Sequence, residues 1–178
     1  MANTTFQGPV TSKNGFITTG PANVVDADSS IALTVATHAG RIVHNNAAGA
    51  VTYTLPAINA NSDSAVAGPG ADLNNLSNIG ATFEIFASIT KTGDFVVQVA
   101  NSNDVMVGGA KFIDDSSDNM VGFETAATSD TITLNGSTTG GVTFAKVTCT
   151  AISSTQWKVD VESGCTGTPA TPFSAAVS

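Results

Sequence analysis

Two histidines, two cysteines and fourteen acids are the groups with which this chain could do chemistry. His38 and His44 flank a turn, and neither has a Cys, Asp or Glu at metal-ligand spacing, so both read as turn or surface histidines. Asp114, Asp115 and Asp118 in DDSSD offer oxygens for Ca²⁺, but the EF-hand spacing and its closing glutamate are missing. That segment reads as a solvated loop. The glycines of GSTTGG (136–141) invite a phosphate-cradle reading. No Lys-Ser/Thr pair follows them, and a strand rather than a helix comes next, so turn chemistry accounts for them. No G-x-S-x-G elbow occurs, and no histidine stands out as a base for the many hydroxyls. Nothing singles out two of the fourteen acids as a glycosidase pair. Trp157 and Tyr53 suggest a sugar platform, yet both occupy inward positions of alternating strands. The expectation is a non-enzymatic protein with no cofactor and no catalytic or metal site.

The elements that would position such groups are strands. From Gln156 to Glu162, Trp157, Val159 and Val161 alternate with Lys158 and Asp160, and Ala145, Val147, Cys149 and Ala151 alternate with Lys146, Thr148 and Thr150. A period of two is the mark of a half-buried strand. Both apolar sets sit at odd positions, so a shared inner face requires paired numbers with an even sum. A three-residue turn, Ile152 to Ser154, places Cys149 opposite Trp157 and Val147 opposite Val159; a five-residue turn also keeps the parity. Asp130 to Leu134 forms a further strand, and together these predict a C-terminal meander around Trp157. Upstream, Ile31–Ala36, Arg41–His44, Val51–Leu55, Thr82–Ala87, Phe95–Val99 and a short Asp104–Val107 read as strands. Ile89 to Phe95 reads as a hairpin through Lys91-Thr92-Gly93-Asp94. The segment Asp114–Ala127 contains Gly122 and lacks capping residues, so it reads as loop. Nine or ten strands with Gly/Asn/Ser turns predict an all-β fold, an antiparallel β-sandwich or barrel-like domain with extended N- and C-terminal arms. No repeat of solenoid length is visible.

At 178 residues the chain suits one domain with appended arms. Six scattered cations against fourteen acids give a net charge of −8, with no basic cluster to displace counterions from nucleic acid. No nucleic-acid partner is expected. No apolar run approaches the roughly 20 residues of a membrane span, and MANTTFQGPV lacks the basic and apolar regions of a secretory signal. Cytoplasmic assembly without a membrane partner is therefore expected, and Cys149 and Cys165 read as two free thiols.

The chain divides into an N-terminal arm (1–23), a β domain (24–164) with a long insertion (57–80), and a C-terminal tail (165–178). Turns interrupt the first arm at Gly8-Pro9, Asn14-Gly15 and Gly20-Pro21, yet it carries Phe6, Val10, Phe16 and Ile17. Large apolar side chains in a polar arm need cover. They either fold back on their own domain or dock on a neighbour. The docking reading takes Phe6, Pro9, Val10, Phe16, Ile17 and, from the tail, Phe173 as anchors.

Several blocks run through the chain: TTFQGPVTSKNGF (4–16), QVANSNDVMVG (98–108), SDTITLNGSTTGG (129–141), the strand at Trp157 and TPFSAAVS (171–178). In these blocks the sequence resembles capsid decoration, or cement, proteins of tailed bacteriophages, marine ones especially; residues 57–80 depart from that pattern. The resemblance implies a virion structural protein on the outer surface of a phage head. Its partner would be the major capsid protein, its state a homotrimer, and its task to bridge capsid subunits and stabilise the shell. Phrases such as F-x-G-P-V-x-S also open tail-fibre and virion-surface proteins, so an adhesin for a host receptor or glycan is the alternative.

Overall fold

A computed structural model describes residues 24–59, 77–117 and 119–177. The expected anchors Phe6, Pro9, Val10, Phe16 and Ile17, the centre of the 57–80 insertion, and Asp118 lie outside them.

The strands are β1 (Val24–Asp26), β2 (Ile31–Ala32), β3 (Ile42–Asn45), β4 (Val51–Thr54), β5 (Thr82–Ala87) and β6 (Phe95–Gln98). They continue with β7 (Val105–Asp114), β8 (Asn119–Glu124), β9 (Thr131–Leu134), β10 (Val142–Ala151), β11 (Gln156–Cys165) and β12 (Phe173–Ser174). One helical turn, α1 (Val35–His38), interrupts them. A seven-stranded sheet has the order β1-β3-β5-β10-β11-β7-β8, and a five-stranded sheet the order β12-β9-β6-β4-β2. The two sheets pack over one core.

The first six strands alternate between the sheets. β1, β3 and β5 stack in parallel in the larger sheet, and β2, β4 and β6 stack in parallel in the smaller one. This is a three-turn parallel coil. Val24 pairs with Ile42 and Ile31 with Tyr53, whereas Ile42 pairs with Glu84 and Val51 with Phe95. The jump in spacing is the 57–80 insertion, which lengthens a single crossover. Its base is clamped: Asn78 N–H donates to Asn59 O (3.0 Å), Asn59 N–H to Asn78 Oδ1 (2.8 Å), and Asn78 Nδ2 to Ala57 O (2.8 Å).

After β6 the chain turns antiparallel. β8 folds back on β7, β9 lies beside β6, and β10 lies between β5 and its hairpin partner β11. β11 also pairs in parallel with β7. The sheets are thus mixed, which corrects the expectation of antiparallel sheets: sequence alternation reports which face is buried but not strand direction. Several element assignments change with it. β7 runs on to Asp114, and the expected loop after it contains β8. The expected strand through Ala36 stops at Ala32 and gives way to α1. β5 and β6 are in different sheets, so Ile89–Phe95 is a crossover and not a hairpin; β9 is likewise in the other sheet from β10 and β11, so there is no meander.

The β10–β11 hairpin keeps the expected parity, but its register differs by two residues. Cys149 pairs with Val159, Val147 with Val161 and Ala151 with Trp157. Ile152 N–H donates to Gln156 O (2.9 Å), leaving Ser153–Thr155 as the turn. A two-residue slip leaves every side chain on its original face, so the alternation alone permits either register.

The inner faces supply the core. Trp157, Phe83, Ile85, Val159 and Phe112 come from the larger sheet, and Tyr53, Phe95, Val97, Ile132 and Leu134 from the smaller, all buried. Each such large side chain contributes about 1.5–3 kcal/mol on burial. Phe83 and Trp157 meet edge to face at 5.8 Å, as do Tyr53 and Phe95 at 5.5 Å. Both cysteines are free and buried.

The C-terminal residues belong to this core. Phe173 pairs with Ile132 and is 9% exposed, and Val177 packs beside the core. Asp130 accepts from Thr131 Oγ1 (2.7 Å), Ala176 N–H (2.8 Å) and Val177 N–H (3.2 Å), and so ties the segment down. The expectation of Phe173 as a docking anchor is therefore corrected. Its own sheet covers the ring.

A candidate docking face on the seven-stranded sheet

The outward face of the larger sheet carries an apolar band. Strand parity sends Val43, Asn45, Phe83, Ile85 and Ala145 inward and Ile42, His44, Phe86 and Lys146 outward. A β-bulge between Val142 and Lys146 breaks this alternation, leaving Thr143 and Phe144 both exposed. Thr143 sits at φ 47, a left-handed conformation rare for a β-branched residue. Its N–H donates to Thr90 Oγ1 (3.0 Å). Bulges re-aim side chains, and strained backbone persists where the surrounding structure holds it. Here the bulge turns Thr143 outward beside Phe144, which strand parity already sends to that face and which stands 53% exposed in the middle of a sheet.

Phe144 joins two shallow depressions. One, of about 460 Å³, is lined by Val24, Ile42, Phe86 and Phe144, with His44 and Ser88 at one side. The other, of about 240 Å³, is lined by Ile113, Met120 and Phe144, with Lys111 and Glu162 beside them. Gly164, which pairs with Ile113 across β11–β7, leaves the sheet surface low beside the Phe144 ring. Met120 on the edge strand β8 is 71% exposed. The band thus crosses the sheet from β1 to β8. Its charged rim includes Lys146–Glu162 (3.4 Å), an exposed ion pair of little energetic weight.

The sequence did not bring together the polar groups at one end of this band. Asp26 Oδ1 lies 2.8 Å from His44 Nδ1, and His44 Nε2 lies 2.9 Å from Ser88 Oγ. That is the bonding order of a serine hydrolase relay, built across β1, β3 and the end of β5. Three features weaken it as a catalyst. The Asp26 side chain is 79% exposed, so it holds the imidazole in a high-dielectric setting. The single Ser88 proton has competing acceptors in Asn46 Oδ1 (3.2 Å) and Asn45 O (3.5 Å). Ser88 N–H is committed to Asn45 O (3.1 Å), so it is not free to receive an oxyanion. The trio works well as a clasp between parallel strands. The outward parity of Ile42 and His44 was legible in the sequence; their neighbours across two parallel ladders were not.

The other candidates resolve into structure. Asp114 accepts from Ser116 N–H (2.9 Å), Ser116 Oγ (2.7 Å) and Ser117 Oγ, closing the β7–β8 turn. Those bonds, Ser117's first, hold its carboxyl below the usual range. Among the described residues no group of three or more His, Cys, Asp or Glu could hold a metal. His38 is buried, and its Nδ1 accepts from Thr34 N–H (3.0 Å) to staple α1. Tyr53 and Trp157 are core residues, as their parity predicts. Burial pushes the Cys149 thiol up to about 12 and that of Cys165 upward, so neither is a ready nucleophile. No described helix is long and apolar enough to cross a membrane. Compared with protein-family models, curated proteins and solved structures, the chain has no match.

Proposed function

We propose that this chain is a capsid decoration protein of a tailed bacteriophage, which binds the outer surface of the head and bridges major capsid subunits without catalysing a reaction. The observation that carries the reading is the apolar band through Val24, Phe86, Phe144, Ile113 and Met120. Large apolar side chains on one outward sheet face, with a phenylalanine exposed beside a bulge, gain free energy only when a partner covers them. The sequence blocks that resemble decoration proteins point to the major capsid protein as that partner. The N-terminal arm supports the same reading: residues 1–23, with Phe6, Pro9, Val10, Phe16 and Ile17, join the domain at Val24, which lines the larger depression. In a homotrimer, three such surfaces raise one another's effective concentration, so modest single contacts give slow release.

The test is co-sedimentation with heads assembled from the major capsid protein. Wild type is expected to sediment with heads, and a Phe144→Ser/Met120→Ser chain to bind about tenfold more weakly or worse, the equivalent of about 1.4 kcal/mol. A chain lacking residues 1–20 is expected to remain folded and to lose binding. Undiminished binding by both variants rejects the reading. Retention on a glycan array by isolated protein, without head binding, moves the function to an adhesin. Light scattering checks the trimer.

The Asp26–His44–Ser88 order favours a second reading, a serine esterase whose acyl group occupies the neighbouring depression. Turnover of p-nitrophenyl acetate that disappears in Ser88→Ala would establish it; equal background rates in both proteins would dismiss it.

A further inference from the structure

We propose that Lys91 and Asn45 are joined by an intramolecular isopeptide bond, which braces the end of β3 to the crossover between β5 and β6.

The residues are placed for it. Lys91 belongs to an outwardly polar turn, yet its side chain runs back into the coil and is 3% exposed. Its Nζ contacts Asn45 Oδ1, donates to Ala47 O (2.6 Å) and lies 4.9 Å from the centre of the Phe95 ring. Among the described residues no carboxylate forms an ion pair with it. Asn45 is fully buried, and its Nδ2 donates to Ala27 O (2.9 Å) and to Tyr53 Oη (2.8 Å). A primary amine and a carboxamide are therefore in contact in a water-poor site walled by Phe95 and Tyr53. An ammonium there has only neutral acceptors and a ring face, so burial favours the free amine and lowers the Lys91 pKa. The free amine is the nucleophile that amide exchange needs.

The step balances without an oxidant or a co-substrate. The Nζ lone pair attacks Asn45 Cγ and an Nζ–Cγ bond forms. The Cγ–Nδ2 bond then breaks, and Nδ2 departs as ammonia with a proton that originated on Nζ. That proton passes from Nζ to Nδ2 while both nitrogens are bonded to Cγ; Tyr53 Oη, which accepts from Nδ2 (2.8 Å) and donates to Ala27 O, orients the departing nitrogen. Asp28 supplies a negative charge that acts on both Lys91 and Tyr53 and favours the cationic nitrogen of the addition intermediate. The product removes the cost of a buried cation and closes the second coil onto the third, across the clamped insertion.

Mass spectrometry of the purified full-length chain tests this directly. The expected intact mass is lower than the sequence mass by one ammonia, about 17 Da. Proteolysis should give a branched peptide linking the Asn45 and Lys91 segments. An unshifted mass with separate Asn45 and Lys91 peptides overturns the proposal. So does the same mass loss without a branch, which is a succinimide at Asn45. Lys91→Arg is expected to abolish the loss, and its persistence there would also overturn the assignment. If that variant does not fold, the wild-type peptide map decides alone.

Discussion

The parallel coil (β1 to β6) and the antiparallel half (β7 to β12) both gather backbone N–H groups on side-chain oxygens at exposed bends. In the coil Asn46 N–H donates to Asp28 Oδ1 (2.6 Å) and Thr52 N–H to Ser30 Oγ (2.9 Å), but the coil adds a second, buried kind of tie. In the coil, buried backbone carbonyls face inward from the crossovers, and side-chain donors meet them. Ala27 O accepts from Asn45 Nδ2 and Tyr53 Oη, and Ala47 O accepts from Lys91 Nζ. In the antiparallel half, backbone N–H groups are left over at turns and the terminus, and side-chain oxygens meet them. Asp114 takes Ser116 N–H, Asp130 takes Ala176 and Val177 N–H, and Asn135 Oδ1 takes Ser137 N–H (2.9 Å) and Thr139 N–H (3.1 Å). A crossover buried between two sheets turns carbonyls toward the core, where water cannot reach them. A tight turn leaves N–H groups near its surface, where one carboxylate or amide can gather several. The coil's buried ties are therefore the harder ones to lose.

The largest effects should come where backbone presses directly on backbone. Gly108 has φ +151, and a Cβ there would stand 1.9 Å from Val159 O in the parallel β7–β11 ladder. Gly136 has φ +78, and its Cβ would stand 1.9 Å from Lys91 O, where the antiparallel half closes over the coil. Neither neighbour is a flexible side chain. Ala at either position is expected to cost more than about 3 kcal/mol in urea unfolding, or to prevent folding. Tolerance of Gly136→Ala would mean that the turn is not pressed on the coil.

Next comes the direct comparison of ties. Asn45→Ala strips partners from Ala27 O, Tyr53 Oη and Lys91 Nζ inside the core, and is expected to cost about 2–4 kcal/mol. Asp130→Ala frees Ala176 and Val177 N–H beside the chain end, where water replaces the carboxylate, and is expected to cost about 1–2 kcal/mol. The reverse order, measured by urea unfolding, would break the contrast between the halves.

These ties explain how far the sequence could be read. Trp157, Val159 and Cys149 declared their inner face by alternation, and so did Val51, Tyr53, Phe83 and Ile85. Burial confirms each of them. Alternation is local, however, and the coil is not. The partner of Val24 is Ile42 and the partner of Ile42 is Glu84, with no recurring motif to mark the turns. Lys91 read as a turn residue because charge predicts exposure; only the placement of Asn45 gives its amine a buried site. β8 was missed because NMVGFE exposes Met120 and includes Gly122, the composition of a loop, while pairing along β7 makes it a strand. Asp26, His44 and Ser88 meet through parallel ladders that no spacing rule encodes. The parts of the candidate site that remained hidden are those created by strand pairing.

The pH dependence follows buried groups in both halves. Tyr53 titrates near 12 when folded and 10 when unfolded, and Cys149 near 12 against 9, both because burial disfavours the anion. Each raised pKa contributes stability that is complete below the unfolded value and lost as pH rises toward the folded one. Unfolding free energy should therefore fall from pH 9 upward through Cys149, by about 1 kcal/mol at pH 10, and further above pH 10 through Tyr53. Cys149→Ala is expected to remove the first part of the decline and Tyr53→Phe the second. Lys91 acts in the opposite direction while it titrates as an amine: its lowered folded pKa makes stability rise with pH up to its unfolded value of 10.5. On the acid side, Asp114 contributes stability that is present above its unfolded pKa of 3.8 and lost as pH falls through its lower folded value. Asp114→Asn should flatten that limb. Urea midpoints measured from pH 2 to pH 11 check all of these.

The smallest stability effect belongs to the outer band, and its smallness is the informative result. Met120 is largely solvent-exposed on an edge strand, and removing its side chain deprives the core of nothing. Met120→Ser is therefore expected to change the unfolding free energy by no more than about 0.5 kcal/mol. Phe144 stands over a bulge that costs backbone strain at Thr143, so Phe144→Ser removes apolar surface without relieving that strain. Its expected stability change is equally small. A face that the fold needed would show losses like those at Asn45. Near-neutral stability in both variants, together with reduced head binding, would separate a surface maintained for a partner from one maintained for the fold. A loss above about 2 kcal/mol in either variant would place the band in the fold's own packing instead.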